Sequence, residues 1–315
     1  VKVDLSPGLS VPLSAVNSLR RQALEELDRA RTQPPARRTL PFVPVAPERG
    51  RAGVPAFTLS FRRWEQLTPD CLDQGPALVY LPCQELPGHE DTLRRWAQAY
   101  PDIGFGVVLP RVVWDRELPR LRRELEAARQ AGVTQALLGH IGQLPLARSF
   151  GLTPRGDFGL GLTNDETAAE LARLGFASAT ASFESRLAQI RDLSKPLDLE
   201  LLVYGRLPLM LMEHCILRNR GQGCHCQDKP QSLGDRKGEH FPVEPAWSCR
   251  NELFNAKPLW LADKTDWRTA GAAYARLAFL RECPGECARV FRAYREGAGE
   301  PPRAFTRGLY YRGVE

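Results

Sequence analysis

The chain has 315 residues, of which 43% are hydrophobic and 25% are charged, and its formal net charge is +6. No run approaches the roughly 18 consecutive apolar residues of a membrane helix, and the first residues lack the basic and apolar order of a secretory signal. We therefore expect a cytoplasmic protein with no membrane partner. The basic surplus favours a polyanionic partner such as RNA, although a solvated basic surface without that role has the same composition.

The first predicted element is an amphipathic helix within residues 12–32, because Leu13, Val16, Leu19, Leu24 and Leu27 recur at helical intervals. The prolines, glycines and arginines that follow cannot sustain a helix or a central strand. The sequence thus predicts an N-terminal helical segment over residues 1–35 and a linker over residues 36–53.

Short apolar runs typical of buried strands recur from Val54 onward, namely FTLSF, ALVYL, FGVVL, QALLG, FGLGLT, SATAS and LELLVYG. Most of them precede a stretch with helical character, such as HEDTLRRWAQAY or RELPRLRRELEAARQAG. This alternation predicts a parallel sheet that is either doubly wound or closed into a barrel. With LWLAD and YARLAFL added, the number of runs favours an α/β fold with a (β/α) barrel over residues 54–315.

The alternation stops at residues 206–257, where loops, cysteines and a predicted hairpin (GDRKGEHFPVEP) replace it. If LELLVYG is the seventh barrel strand, this cysteine-rich segment emerges from its C-terminal end. Barrel enzymes place their chemistry on that face. We therefore expect the segment to contribute to a functional site.

Cys215, Cys224, Cys226 and Cys249 form the candidate metal or cofactor site in this segment. Clustered cysteines in a chain of this size indicate metal ligation rather than a disulfide scaffold. Four thiolates suit zinc and an iron–sulfur cluster equally, so the ligand count leaves both open. The single residue between Cys224 and Cys226 is an unusual spacing, so the sequence leaves open whether both are ligands or one is a spectator. The alternative is that these residues are free thiols on a loop.

The segments ELLVYGRLPLMLMEHCILRN, GCHC, GDRKGEHFPVEPAWSCRNELFNAKPLWL and TRGLYYRG resemble, in this order, the peptidase family U32, often called collagenase-like. GHIGQLPLARSFG and GDFGLGLTN are similar to the segment just upstream in that family, so the resemblance extends over residues 54–315. It implies a cysteine-bound iron–sulfur cluster of the 4Fe–4S type on Cys215, Cys249 and the Cys224/Cys226 pair, with zinc as the alternative.

The same resemblance implies a role in base hydroxylation of ribosomal or transfer RNA. Residues 1–35 are similar to the end of an inserted domain in long family members, one type of which hydroxylates a cytidine of 23S ribosomal RNA. We therefore expect the chain to be the C-terminal half of such a protein, with the N-terminal half of the same polypeptide as a partner.

Three functions stay open from the sequence. The first is RNA modification, with candidate catalytic residues near the end of the seventh strand and at the ends of earlier strands: Tyr204, Arg206, Glu213, His214, His140 and Asn164. The second is a peptidase acting on a protein or peptide substrate, with Glu213 as the base, although the HExxH and GxSxG motifs are absent. The third is a non-catalytic structural half of a larger enzyme.

Overall fold

The computed structural model describes residues 6–48, 50, 53–218 and 230–314. The chain divides into two compact units, Val1–Pro44 and Val45–Glu315. The first contains helix α1 (Leu13–Thr32), which confirms the predicted amphipathic helix. Its leucines are exposed.

The second unit contains all the strands described below. In chain order they are β1 (Ala56–Phe61), β2 (Leu78–Pro82), β3 (Gly104–Val108), β4 (Gln135–Leu138), β5 (Thr153–Gly156), β6 (Ser178–Thr180), β7 (Asp198–Gly205), β8 (Pro208–Met212), β9 (Gln231–Gly234), β10 (His240–Ala246), β11 (Arg250–Phe254), β12 (Leu259–Trp260) and β13 (Tyr274–Phe279). Strands β1 to β7 follow one another in parallel pairing, and β13 closes the ring between β7 and β1. The predicted α/β barrel is confirmed.

The helices of this unit are α2 (Pro69–Leu72), α3 (Glu90–Ala99), α4 (Leu118–Gln130), α5 (Leu144–Ser149), α6 (Asp165–Arg173), α7 (Leu187–Asp192) and α8 (Pro284–Glu296). They bury one apolar face each, as Leu121, Leu125 and Ala128 of α4 illustrate with their spacing of four and three residues. Among the residues that the structure describes, no helix has the length and apolar character needed to cross a membrane.

A second, antiparallel sheet is inserted after β7, in the order β8–β11–β10–β9. Gly205 begins the departure from the barrel with φ of 121°, and a Cβ there would lie 2.1 Å from the carbonyl oxygen of Ala278. Only glycine fits this close approach and this backbone conformation. Strands β9 and β10 form the predicted hairpin.

Two predicted barrel strands are wrong. FGLGLT contains a short 3₁₀ turn, Phe158–Leu160, and the fifth strand is the preceding TPRG, Thr153–Gly156. Its Arg155 is buried and donates to Ser178 Oγ at 2.8 Å, so a charged residue interrupts the apolar pattern that marks other strands. LWLAD supplies only β12, which pairs antiparallel with the end of β7 and takes no place in the barrel.

Candidate active site

A cavity of about 180 Å³ lies between the C-terminal end of the barrel and the antiparallel sheet. Strand ends and the loops after them form one side, and the sheet forms the other. Residues from the barrel side include Ser60, Pro82, Val108, Asp157, Leu202 and Arg276, and those from the sheet side include Pro208, Leu211, Trp247, Arg250, Glu252 and Phe254. Barrel enzymes bind substrates at this end of the fold.

The floor of the cavity is a buried ionic network around Arg276 of β13. Its Nη1 donates to Asp157 Oδ1 at 2.7 Å, and its Nη2 donates to Glu200 and Thr180. Burial alone would raise the pKa of Glu200, but the charge and hydrogen bonds of Arg276 hold that pKa below its ordinary value. Glu200 is therefore ionised at neutral pH.

Two further polar atoms of this floor, Tyr80 Oη and Arg276 Nε, are buried with no hydrogen-bond partner among the described residues. The Arg276 guanidinium lies 5.3 Å from the centroid of the Tyr80 ring. Both atoms are donors, so the barrel interior beneath the cavity can donate hydrogen bonds beyond those it already makes.

Ion pairs also connect the antiparallel sheet to the barrel. Glu252 of β11 accepts from Arg62 Nη1 at 2.9 Å and pairs with Arg111 Nη2 at 3.1 Å. Glu244 of β10 pairs with Arg281 and, at 3.6 Å, with Arg63. The sheet is thus held over the cavity by carboxylates that each contact two arginines.

Cys249 lies in a backbone turn that ordinary residues rarely adopt. Ser248 and Cys249 both have positive φ, 59° and 61°. The turn is anchored beside them, because Trp247 Nε1 donates to Glu124 Oε2 at 2.9 Å and Cys83 Sγ donates to the same oxygen at 3.0 Å. Such conformations persist only where the surroundings enforce them, and they are common at functional sites.

Cys215 and Cys249 lie at the same end of the β8–β11 pair. Met212, three residues before Cys215, is in register with Asn251, two residues after Cys249. Asn251 Oδ1 also accepts a hydrogen bond from Ile216 N at 2.8 Å. Cys249 is exposed and Cys215 is half-buried.

The other two predicted ligands, Cys224 and Cys226, lie outside the described residues. Within the described ranges, no group of three or more His, Cys, Asp or Glu side chains is arranged to hold a metal ion. The four-cysteine site therefore stays a prediction.

Arg206 and Tyr204 occupy different environments, although they are two residues apart. Arg206 lines the cavity and donates from Nη1 to the carbonyl oxygens of Asn255, at 3.1 Å, and Ala256. Tyr204 is buried in β7 beside the cavity, and its hydroxyl donates to Glu282 Oε1 at 2.9 Å. Burial and the Glu282 carboxylate raise the pKa of Tyr204 well above its ordinary value, so its hydroxyl stays protonated.

Glu213 and His214 follow β8 of the antiparallel sheet rather than the seventh barrel strand, and both are exposed. Glu213 accepts from Arg250 and from Trp114 Nε1 at 2.8 Å, and these hydrogen bonds lower the pKa of Glu213. A carboxylate with a lowered pKa is a weak proton acceptor. Glu213 is therefore better suited to hold Arg250 in place than to act as the base of a peptidase.

His140 and Asn164 do not line the cavity. Asn164 caps helix α6, since its Oδ1 accepts from Thr167 N at 2.9 Å. His140 is exposed and precedes the short 3₁₀ turn Ile141–Gln143. The structure therefore does not bring these two together with Arg206 at the cavity.

The sequence reasoning missed most of the charged residues that line or support the cavity: Arg62, Arg111, Asp157, Glu200, Glu252 and Arg276. A usable signal existed for two of them. Glu200 and Arg276 are single charges inside the apolar runs LELLVYG and YARLAFL. A charge in a buried strand needs a partner, which marks a polar barrel interior.

No protein family and no curated protein matches the chain. Its fold is similar to that of the U32 peptidase Mk0906, with 13% identity, coverage of 76% of this chain and 98% of that chain, and a TM-score of 0.44. It is also similar to a mutant tryptophan synthase α-subunit from Pyrococcus furiosus, with 9% identity, coverage of 78% and 99%, and a TM-score of 0.44. A third similar fold is that of 3-hexulose-6-phosphate synthase, with 11% identity, coverage of 78% of this chain and 100% of that chain, and a TM-score of 0.40.

At these identities and TM-scores the similarities carry no argument about activity. The closed ring of strands and the cavity at its C-terminal end define the chain as an α/β-barrel protein with a candidate site where barrel enzymes bind substrates.

Proposed function

We propose that this chain is a U32-type barrel protein that acts in RNA base hydroxylation, with an iron–sulfur cluster on Cys215, Cys249 and the Cys224/Cys226 pair. The observation that carries the proposal is the placement of Cys215 and Cys249 at one end of the β8–β11 pair, in the sheet that covers the cavity. The sequence resemblance supplies the family, the activity and the remaining ligands.

The two described cysteines suit a thiolate-ligated group. Cys215 follows β8 and Cys249 precedes the neighbouring β11, and Asn251 Oδ1 accepts a hydrogen bond from the residue after Cys215. An iron–sulfur cluster supplies one-electron transfer when bound.

A second, more polar cavity of about 540 Å³ lies beside the Cys249 turn and is a candidate RNA groove. Arg63 and Arg120 line it with side chains that are about half exposed, at 55% and 47%. Exposed arginines bind phosphate groups. RNA binding through such contacts weakens strongly with salt.

The test is elemental analysis of protein purified without oxygen. We expect about four iron atoms and about four sulfide ions per chain, as for a cubane cluster. Cys215→Ser and Cys249→Ser should lose most of the iron, whereas Cys283→Ser, which changes a similarly exposed cysteine on another element, should keep it. Protein with neither iron nor sulfide would refute the cluster.

The RNA part of the proposal has a separate test. A short single-stranded RNA should bind at about 50 mM salt and lose most of its affinity at about 200 mM, as measured by fluorescence anisotropy. Absence of binding at the lower salt would contradict an RNA substrate while leaving the cluster intact.

A further inference from the structure

We propose that the 180 Å³ cavity at the barrel end binds a small organic anion, with a carboxylate or phosphate group held by Arg111, Arg62 and Arg206 and an apolar body inside the cavity. This inference does not depend on the iron–sulfur cluster or on RNA. It rests on the uneven ion pairing of the arginines, their placement at the cavity wall and the apolar lining.

The arginines of the cavity lining are unevenly paired with carboxylates. Arg276 is matched by Asp157 and Glu200, and Arg250 is matched by Glu117 and Glu213. In contrast, Arg62 and Arg111 share the single carboxylate of Glu252. One guanidinium charge of this trio is therefore available to a ligand.

Of Arg62 and Arg111, Arg111 is the better placed to bind an anion. Its contact with Glu252 at 3.1 Å is its only ion pair, and its guanidinium donates no hydrogen bond, among the residues that the structure describes. The group lies over the ring of Phe158 at 5.2 Å, while Arg62 lies over Phe254 at 5.7 Å. The attraction between a cation and an aromatic ring helps to hold each guanidinium at the cavity wall.

Arg206 adds another guanidinium group, one that forms no ion pair within 4 Å among the described residues. It is half-buried and lines the same cavity, and its described hydrogen bonds go to backbone carbonyls rather than to a carboxylate. Its burial lowers the pKa of Arg206, which means that the charged form lacks full compensation in this environment. An anion entering the cavity would supply that compensation.

The rest of the lining is apolar and suits the body of such a ligand. It includes Phe61, Leu109, Leu137, Leu202, Phe254 and Phe279. Binding sites for small molecules combine an apolar wall with a few oriented polar groups, and this cavity has that composition. A compact ring or branched chain bearing one anionic group fits it better than a highly polar or extended ligand.

The experiment is calorimetric titration of the full chain with three probes of similar shape: benzoate, phenyl phosphate and the neutral benzamide. We expect one or both anions to bind at least about tenfold more tightly than benzamide, the effect of a charge-assisted hydrogen bond. The anion that binds more tightly indicates whether the anionic group of the natural ligand is a carboxylate or a phosphate ester. Equal binding of benzamide and the anions would overturn the proposal.

The test variant is Arg111→Gln, and Arg307→Gln is its matched control. Arg307 also pairs with a carboxylate, that of Asp263, and lies over an aromatic ring, 4.7 Å from that of Phe305, but it lines neither cavity. We expect Arg111→Gln to lose about tenfold in anion affinity and Arg307→Gln to keep it. Arg111→Lys preserves the charge and should retain part of the affinity even if Arg111→Gln folds poorly. Wild-type affinity in Arg111→Gln would refute the assignment.

Discussion

Glu244 and Glu252 lie directly opposite each other on β10 and β11, and both are buried, with exposed fractions of 2% and 8%. Residues in register on antiparallel strands point to the same face, where like charges repel. Barrel arginines offset this repulsion, two for each carboxylate. The antiparallel sheet is therefore attached to the barrel end by an ionic contact that a neutral sheet face would not make.

The first prediction concerns this attachment. Glu244→Gln should destabilise the protein by about 1–3 kcal/mol, because Arg281 loses its charged partner. The weaker repulsion on Glu252 offsets only part of this loss. Hydrogen exchange should rise in β10 and β11 more than in β2 and β3 of the barrel. Glu170→Gln, which removes an exposed pair with Arg173, is the control and should change stability by less than about 1 kcal/mol. Uniform exchange throughout the barrel and sheet would contradict the attachment.

The second prediction concerns the network below the cavity. Arg276→Met should cost about 3–5 kcal/mol at neutral pH, since it leaves two carboxylates in a buried site without their cation. Urea denaturation measures the loss. Arg173→Met, on the surface of α6, is the control and should be nearly neutral.

The pH dependence of the stability of Arg276→Met tests the direction of the Glu200 pKa shift. In the wild type the pKa of Glu200 is lowered, so its stabilising contribution is present above the ordinary carboxyl range and is lost as the pH falls through the lowered pKa. Without Arg276, burial raises this pKa, and the variant gains stability by protonating Glu200. The stability gap should therefore shrink between about pH 7 and about pH 4. A constant gap would argue against an ionised Glu200.

The third prediction concerns Glu124, which accepts hydrogen bonds from Trp247, Cys83 and Arg120. Glu124→Gln should cost about 1–3 kcal/mol, because an amide cannot accept all three donors. It should also increase hydrogen exchange at residues 246–250, which form the Cys249 turn. Glu126→Gln on the exposed face of the same helix is the control. An unchanged turn in Glu124→Gln would show that the backbone alone maintains its conformation.

The barrel was predictable because its helices and most of its strands are apolar where they pack, as in the runs that contain β2 and β3. Prediction failed at β5, where a buried Arg155 makes a strand look like a loop. It also failed for most of the cavity. Arg62 and Glu252 are 190 residues apart in the chain, and no local pattern indicates that they meet. Cys249 was identified by residue type, whereas its turn depends on tertiary contacts.

The fourth prediction uses thiol reactivity to separate the cluster from free cysteines. Cys71, Cys83 and Cys287 are buried, and burial raises the pKa of each thiol, so they should resist iodoacetamide near neutral pH until the protein unfolds. Cys249 and Cys283 are both exposed and should react alike in protein without a cluster. In protein purified without oxygen, Cys249 should be protected and Cys283 should still react, as read by mass spectrometry of the alkylated peptides. Removal of iron by a chelator should restore the reactivity of Cys249. Equal labelling of Cys249 and Cys283 before chelation would leave Cys249 without a role as a ligand.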